Sequence, residues 1–140
     1  MGRAVVMTVL MDTHVVVWLM GRVQRLGRGA RGLIDTAADA DAALISAFSF
    51  WEVAMLVQSG RLLLAQPAAS WRQRVLELGI QEVPVSGDIG ILAAGLGDFP
   101  RDPADRIISA TAILQGATLI TADSSILAWN GDLTRYDARN

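Results

Sequence analysis

Thr8-Val9-Leu10-Met11-Asp12-Thr13-His14, continued by Val15 to Met20, is the stretch whose reading decides how this chain folds. Thr8 to Met11 is a short, mostly apolar run of the kind expected of a strand buried on both faces. Asp12 ends that run, and His14 to Met20 reads as a helix that stops near Gly21. A carboxylate thus stands directly after a strand, where open α/β sheets bind their ligands.

The same alternation continues along the chain. Leu26 to Ala38 is predicted helical, Ala43 to Ser46 a short strand, and Ser49 to Gln58 a helix closed by Gly60. Pro67 to Leu78 reads as helix, Gln81 to Val85 as extended, and Asp88 to Leu96 as helix. Pro103 to Gln115 is a strong helix stopped at Gly116, and Thr118 to Thr121 a strand. Ser124 to Trp129 is a short helix and Leu133 to Tyr136 a last, weak strand. Strands alternating with helices imply a mostly parallel sheet covered on both faces.

The chain has 140 residues, 52% of them apolar, which is enough for one hydrophobic core, so a single domain over 1–140 is expected. Met1 to Met7 form an N-terminal extension to which no role is assigned. The apolar stretch from Ala4 to Met20 is broken by Asp12, Thr13 and His14 and falls short of the roughly 18 residues of a membrane span. No cleavage site follows it, and a soluble chain without a targeting segment is expected. Cysteine is absent and His14 is the one histidine, which excludes disulfides and a Cys/His zinc set. All 12 basic residues are arginine. Without lysine, P-loop nucleotide binding, Schiff-base chemistry and lysine-dependent phosphoaspartate chemistry are excluded. A net charge of −2 makes bulk attraction to nucleic acid weak, so any such contact must be local.

Four acids have both an ordinary and a functional reading. Asp12 and Asp123 can cap the helices that follow them, and Ser49 with Glu52 fits a capping box. Asp102-Pro103-Ala104-Asp105 fits helix-start chemistry, with a cap, a proline and a first-turn carboxylate. Together, however, Asp12 and Asp123 follow strands while Glu52 and Asp105 begin helices, which places all four at one end of the sheet. Converging carboxylates repel one another unless a cation neutralises them. Hard oxygen ligands suit Mg²⁺ or Mn²⁺, and phosphodiester hydrolysis is the natural chemistry of such a site. One ion or two is left open.

Four segments carry a family resemblance: Leu10-Met11-Asp12-Thr13-His14, Ser49-Phe50-Trp51-Glu52-Val53-Ala54, Arg101-Asp102-Pro103-Ala104-Asp105-Arg106-Ile107-Ile108, and Leu119-Ile120-Thr121-Ala122-Asp123. In this order and spacing the chain resembles the PIN-domain toxins of the VapC type, from about Thr8 onward. The resemblance implies a three-layer α/β/α sandwich with a central, mostly parallel sheet, and Mg²⁺- or Mn²⁺-dependent endonucleolytic cleavage of RNA. It also implies a homodimer, inhibition by a small cognate antitoxin, and a cytoplasmic setting without a membrane partner. Asp12, Glu52 and Asp105 match the three central acidic positions and Asp123 the fourth; Asp12 and Asp105 are the surest metal ligands. Thr13, Ser49, Thr121 and Arg106 match polar neighbours that orient the carboxylates or the phosphate. Many relatives carry a histidine before the Asp-Pro pair and a phenylalanine after it, where this chain has Phe99-Pro100-Arg101 and Ala104. Substrate contacts are expected to differ there.

Other signals are weaker. Gly27-Arg28-Gly29-Ala30-Arg31-Gly32 satisfies the dinucleotide glycine pattern but follows no predicted strand, so it is set aside. Arg22, Arg25, Arg28 and Arg31 recur every third residue, as a solvated helix face or a phosphate-tracking stripe. Trp18, Trp51, Leu56 and Trp71 are expected mostly in the core, although such an apolar groove can receive an antitoxin helix. His14 is left out of the catalytic set. Two rival readings remain: a non-catalytic PIN-like interaction module, in which the carboxylates only cap helices, and a phosphoaspartate receiver. The receiver fails for want of lysine and of a second acid beside Asp12.

Overall fold

The computed structural model describes residues 6–140. The N-terminal extension read over Met1 to Met7 therefore falls mostly outside the described residues. Among the described residues five strands form one sheet: β1 (Val9–Met11), β2 (Ala43–Ser46), β3 (Gln81–Val83), β4 (Thr118–Thr121) and β5 (Arg135–Asp137). Their order is β3-β2-β1-β4-β5, and every pairing is parallel. Seven α-helices among the described residues connect them: α1 (Thr13–Gly21), α2 (Arg28–Asp39), α3 (Ala47–Gln58), α4 (Ala68–Glu77), α5 (Gly87–Ala94), α6 (Pro103–Gln115) and α7 (Ser124–Leu127). None of them is long and apolar enough to cross a membrane.

The layers follow from the two-residue period of the strands. Val9, Met11, Ala43, Ile45 and Ile120 point to one core, with Val15 and Val16 of α1, Ala30 and Ile34 of α2, Val53 of α3, and Trp71 and Val75 of α4. Leu10, Leu44 and Leu119 point to the other face, against Ile89 of α5, Ile108 and Ala112 of α6, and Ile126 of α7. Both faces of β1, β2 and β4 are buried, which is why β1 is apolar throughout and β2 and β4 keep adjacent apolar residues at their centres, with polar residues only at their ends. The expected three-layer α/β/α sandwich is the fold observed.

The glycines set aside above have a packing role. A side chain on Gly27 would collide with the backbone of Asn140, and one on Gly29 with the Tyr136 hydroxyl. Their bare backbone lets the chain after β5 lie against the start of α2, where Gly27 N–H donates to Ala138 O at 2.9 Å and Ala30 N–H to Asn140 O at 2.9 Å. The arginine series does not lie on one helix. Arg22 caps the end of α1, Arg25 lies in a single 3-10 turn at Val23–Arg25, and Arg28 and Arg31 belong to α2.

Strand order determines where a site can lie. From β1 the chain proceeds through β2 to β3 on one side, then crosses by α5 and α6 to β4 on the other. The connections diverge between β1 and β4, which opens a crevice at the carboxyl ends of these two strands. Asp12 follows β1, and Thr121 ends β4.

Candidate active site

Asp12 is 3% exposed, and both of its carboxylate oxygens find hydrogen-bond donors. Its Oδ1 accepts from Thr13 N–H at 2.8 Å, capping α1, and its Oδ2 accepts from the Thr121 hydroxyl at 2.7 Å across the β1/β4 crevice. The Thr121 oxygen in turn accepts the Asp123 N–H at 3.0 Å, which ties the loop after β4 to Asp12. The Thr13 and Ser49 hydroxyls, both buried, are 2.9 Å apart and join α1 to α3.

Asp12, Glu52 and Asp105 line one cavity of about 230 Å³ with Thr13, His14, Val17, Leu56, Arg61 and Leu62. Three of the four expected acids are thus gathered in it, from the turn between β1 and α1, from α3 and from α6. Asp123 is not in its wall; its Oδ1 accepts from Ser125 N–H at 2.8 Å and Ile126 N–H at 3.3 Å and caps α7. It stands near enough to act on Asp105 electrostatically.

The electrostatics are unbalanced. The Asp105 carboxyl is pushed up to about 7, first by burial and then by the charges of Asp12, Asp102, Asp123 and Glu52. Burial also raises Glu52, helped by Asp12 and Asp102 and opposed by a hydrogen bond from Thr13 and by His14.

A divalent cation is the group this arrangement suits by chemistry. Its donors are hard carboxylate oxygens with charge in excess, which fits Mg²⁺ or Mn²⁺ rather than zinc. Among the described residues, however, no three His, Asp or Glu side chains stand at metal-ligating separation. Holding an ion would require the partly exposed Glu52 and Asp105 side chains to turn toward Asp12.

Several expectations need correction. Ser49 does not cap α3: the helix starts at Ala47 and its cap is Ser46, whose Oγ accepts from Phe48 N–H at 3.1 Å. Glu52 accordingly lies in the second turn, free of the capping-box role. Arg106 does not face the acids. Its guanidinium donates to the carbonyls of Pro100 (3.0 Å), Ala93 (2.8 Å), Leu96 (3.2 Å) and Phe99 (3.1 Å), closing the end of α5 and the turn into α6. Trp71 is in the core, but Trp51 is 55% exposed and Leu56 lines the cavity.

The profile of the PIN domain matches residues 9–128. The chain belongs to the PIN-domain family. It is 39% identical over 117 residues to ribonuclease VapC22 of Mycobacterium tuberculosis (strain ATCC 25618 / H37Rv), which covers 83% of this chain and 87% of that protein. Its fold is similar to VapBC2 from Rickettsia felis bound to a promoter DNA fragment, with a TM-score of 0.67 at 16% identity over 92% of this chain and 98% of that one. A toxin-antitoxin complex from Klebsiella pneumoniae matches with a TM-score of 0.55 at 22% identity, over 90% and 96% of the two chains.

Within this PIN domain, sequence reasoning left two basic side chains of the cavity, His14 and Arg61, out of the site. His14 lines it: its Nε2 accepts the Ala122 N–H at 3.0 Å, which leaves the proton on Nδ1, 3.6 Å from Asp12 Oδ2. Its position next to Asp12 was the available signal, and the direction of its ring was not. Arg61 also lines the cavity, and nothing in its local sequence marks it.

Proposed function

We propose that this PIN domain is a divalent-metal-dependent endoribonuclease and the toxin of a two-component toxin–antitoxin pair acting in the cytoplasm. The observation that carries this reading is the cavity in which Asp12, Glu52 and Asp105 converge, with burial and neighbouring carboxylates pushing Asp105 up to about 7. The likeness to a protein named a ribonuclease supports the substrate class.

Mg²⁺ or Mn²⁺, when bound, would acidify a water and neutralise charge growing on the scissile phosphate. Asp12, Glu52 and Asp105 would hold it, and Asp123 would add negative potential beside them. Asp12 is kept in place by Thr13 and Thr121, so its carboxylate needs no reorganisation before binding. Glu52 and Asp105 gain a partner for their charge, and binding would release the proton that Asp105 carries near neutral pH. Val17, Leu56 and Leu62 keep one wall of the cavity apolar and limit the water around the acids.

A small antitoxin and a second copy of the chain are the partners proposed. Trp51 and Met55, one turn apart on α3 and both exposed, support a protein-binding face. The test is cleavage of purified RNA by wild type and by Asp12→Asn, with Mg²⁺, with Mn²⁺ and with chelator. Cuts that require both the metal and Asp12 are expected, and a wild type that leaves RNA intact in every condition would sink the reading.

The separation of the carboxylates among the described residues favours one rival, a non-catalytic interaction module. Calorimetric titration with Mn²⁺ separates the two: the module takes up no ion, the nuclease does.

A further inference from the structure

Among the described residues, Arg61 is the only arginine in the wall of the acidic cavity. Among the described residues its guanidinium makes no ion pair and no hydrogen bond to a protein group. Arg31, Arg72 and Arg139 are instead paired with Asp35, Glu82 and Asp137, and Arg106 and Arg135 donate to carbonyls. Nor, among the described residues, does Arg61 stand in an ion pair with Asp12, Glu52 or Asp105. A cation at the edge of the cavity with no internal partner is available to an anion from outside.

Its backbone is held in place. Gly60 takes φ 74° after α3, its N–H donates to Val57 O at 3.1 Å, and Arg61 N–H donates to Leu56 O at 2.9 Å. This doubly bonded glycine turn fixes where Arg61 and Leu62 leave the helix. Leu56, Leu62 and Val17 line the same cavity, so the guanidinium is set beside an apolar surface of the kind a base or ribose face covers.

We propose that Arg61 binds a backbone phosphate of the RNA strand next to the phosphate being cut, with the adjoining nucleotide lying against Leu56, Leu62 and Val17. The inference rests on the ribonuclease reading. A chain of net charge −2 with an acidic cleavage site offers RNA little general attraction, so a local cation is needed to keep the strand in register. Arg61 is a substrate-binding residue here and touches no reacting atom.

The experiment measures binding of a labelled, mixed-sequence single-stranded RNA to Asp12→Asn protein in Mn²⁺ across a salt series, with and without Arg61→Ala, Arg61→Lys or Arg74→Ala. Arg61→Ala is expected to weaken binding about tenfold and to lower the slope of log K against log salt by roughly 0.7 to 1. Arg61→Lys keeps most of the slope, and Arg74→Ala, an exposed arginine outside the cavity, changes neither quantity. Equal affinity and slope with and without Arg61 overturn the inference, as does an equal loss in Arg74→Ala. If wild type cuts RNA while Arg61→Ala binds like its parent, only the inference falls. If wild type neither binds nor cuts RNA, the ribonuclease reading falls with it.

Discussion

Asp105 and Arg106 are neighbours in the first turns of α6, and the regions they face treat charge in opposite ways. On one side Asp105 shares a cavity with Asp12 and Glu52 and is driven up to about 7 by burial and the neighbouring carboxylates. On the other, Arg106 donates to four carbonyls at the end of α5 and in the turn after it. Frustrated charge at the carboxyl end of the sheet is poised for a ligand, whereas satisfied charge at the α5–α6 corner stabilises the fold. The two roles are separable by measurement.

The largest effect should come from the frustrated side. Asp12→Asn or Asp105→Asn is expected to lower RNA cleavage more than about 100-fold while leaving the melting temperature within a few degrees of wild type or above it. Activity that survives in both variants would detach these carboxylates from the chemistry. Next comes the satisfied side. Arg106→Ala leaves four carbonyls without their donor and should cost about 2 to 4 kcal/mol in urea unfolding. Arg106→Lys should recover only part of this, because one ammonium cannot reproduce a planar guanidinium's reach. If Arg106→Ala were instead as stable as wild type but inactive, the contrast would collapse and Arg106 would belong to the site.

A third expectation concerns pH. For Asp105 the folded-state value of about 7 lies above the ordinary 3.8, so the folded protein holds a proton that the unfolded chain has already lost. Stability from this group is therefore full below about pH 4 and is lost as pH rises through about 7. Glu52, also raised, contributes with the same sign. Allowing for solvent screening of partly exposed groups, metal-free protein should lose on the order of 1 to 2 kcal/mol between pH 5 and 8. Asp105→Asn should flatten that slope, and Mn²⁺ at pH 8 should restore stability. A slope unchanged in Asp105→Asn would show that other groups carry it. The smallest effect is expected at Arg31, whose exposed pair with Asp35 contributes within about 0.5 kcal/mol, so Arg31→Ala should barely move the unfolding midpoint.

How far local pattern can be read is clear from particular residues. Asp102 with Pro103 marked the start of α6, and Gly116, at φ 61°, marked its end, because caps and left-handed glycines act within a single turn. The Ser49 to Glu52 spacing misled, because Ser46 supplied an equally good cap at the point where β2 ends. The arginines were least legible. Arg61 and Arg106 have long side chains whose direction is decided by what stands several ångströms away, and neighbouring sequence does not record that.

The sequence by itself determined the alternation of strand and helix, the burial of both sheet faces and the acids at strand ends and helix starts. These follow from periodicity and from short-range hydrogen bonding of backbone groups. Only the tertiary structure decided that Asp12, Glu52 and Asp105 share a cavity while Asp123 stands beside it, and that Arg61 turns to the cavity while Arg106 turns away. Burial and Coulomb interaction depend on distances between elements far apart in the chain, and parallel strand order, not local pattern, sets those distances.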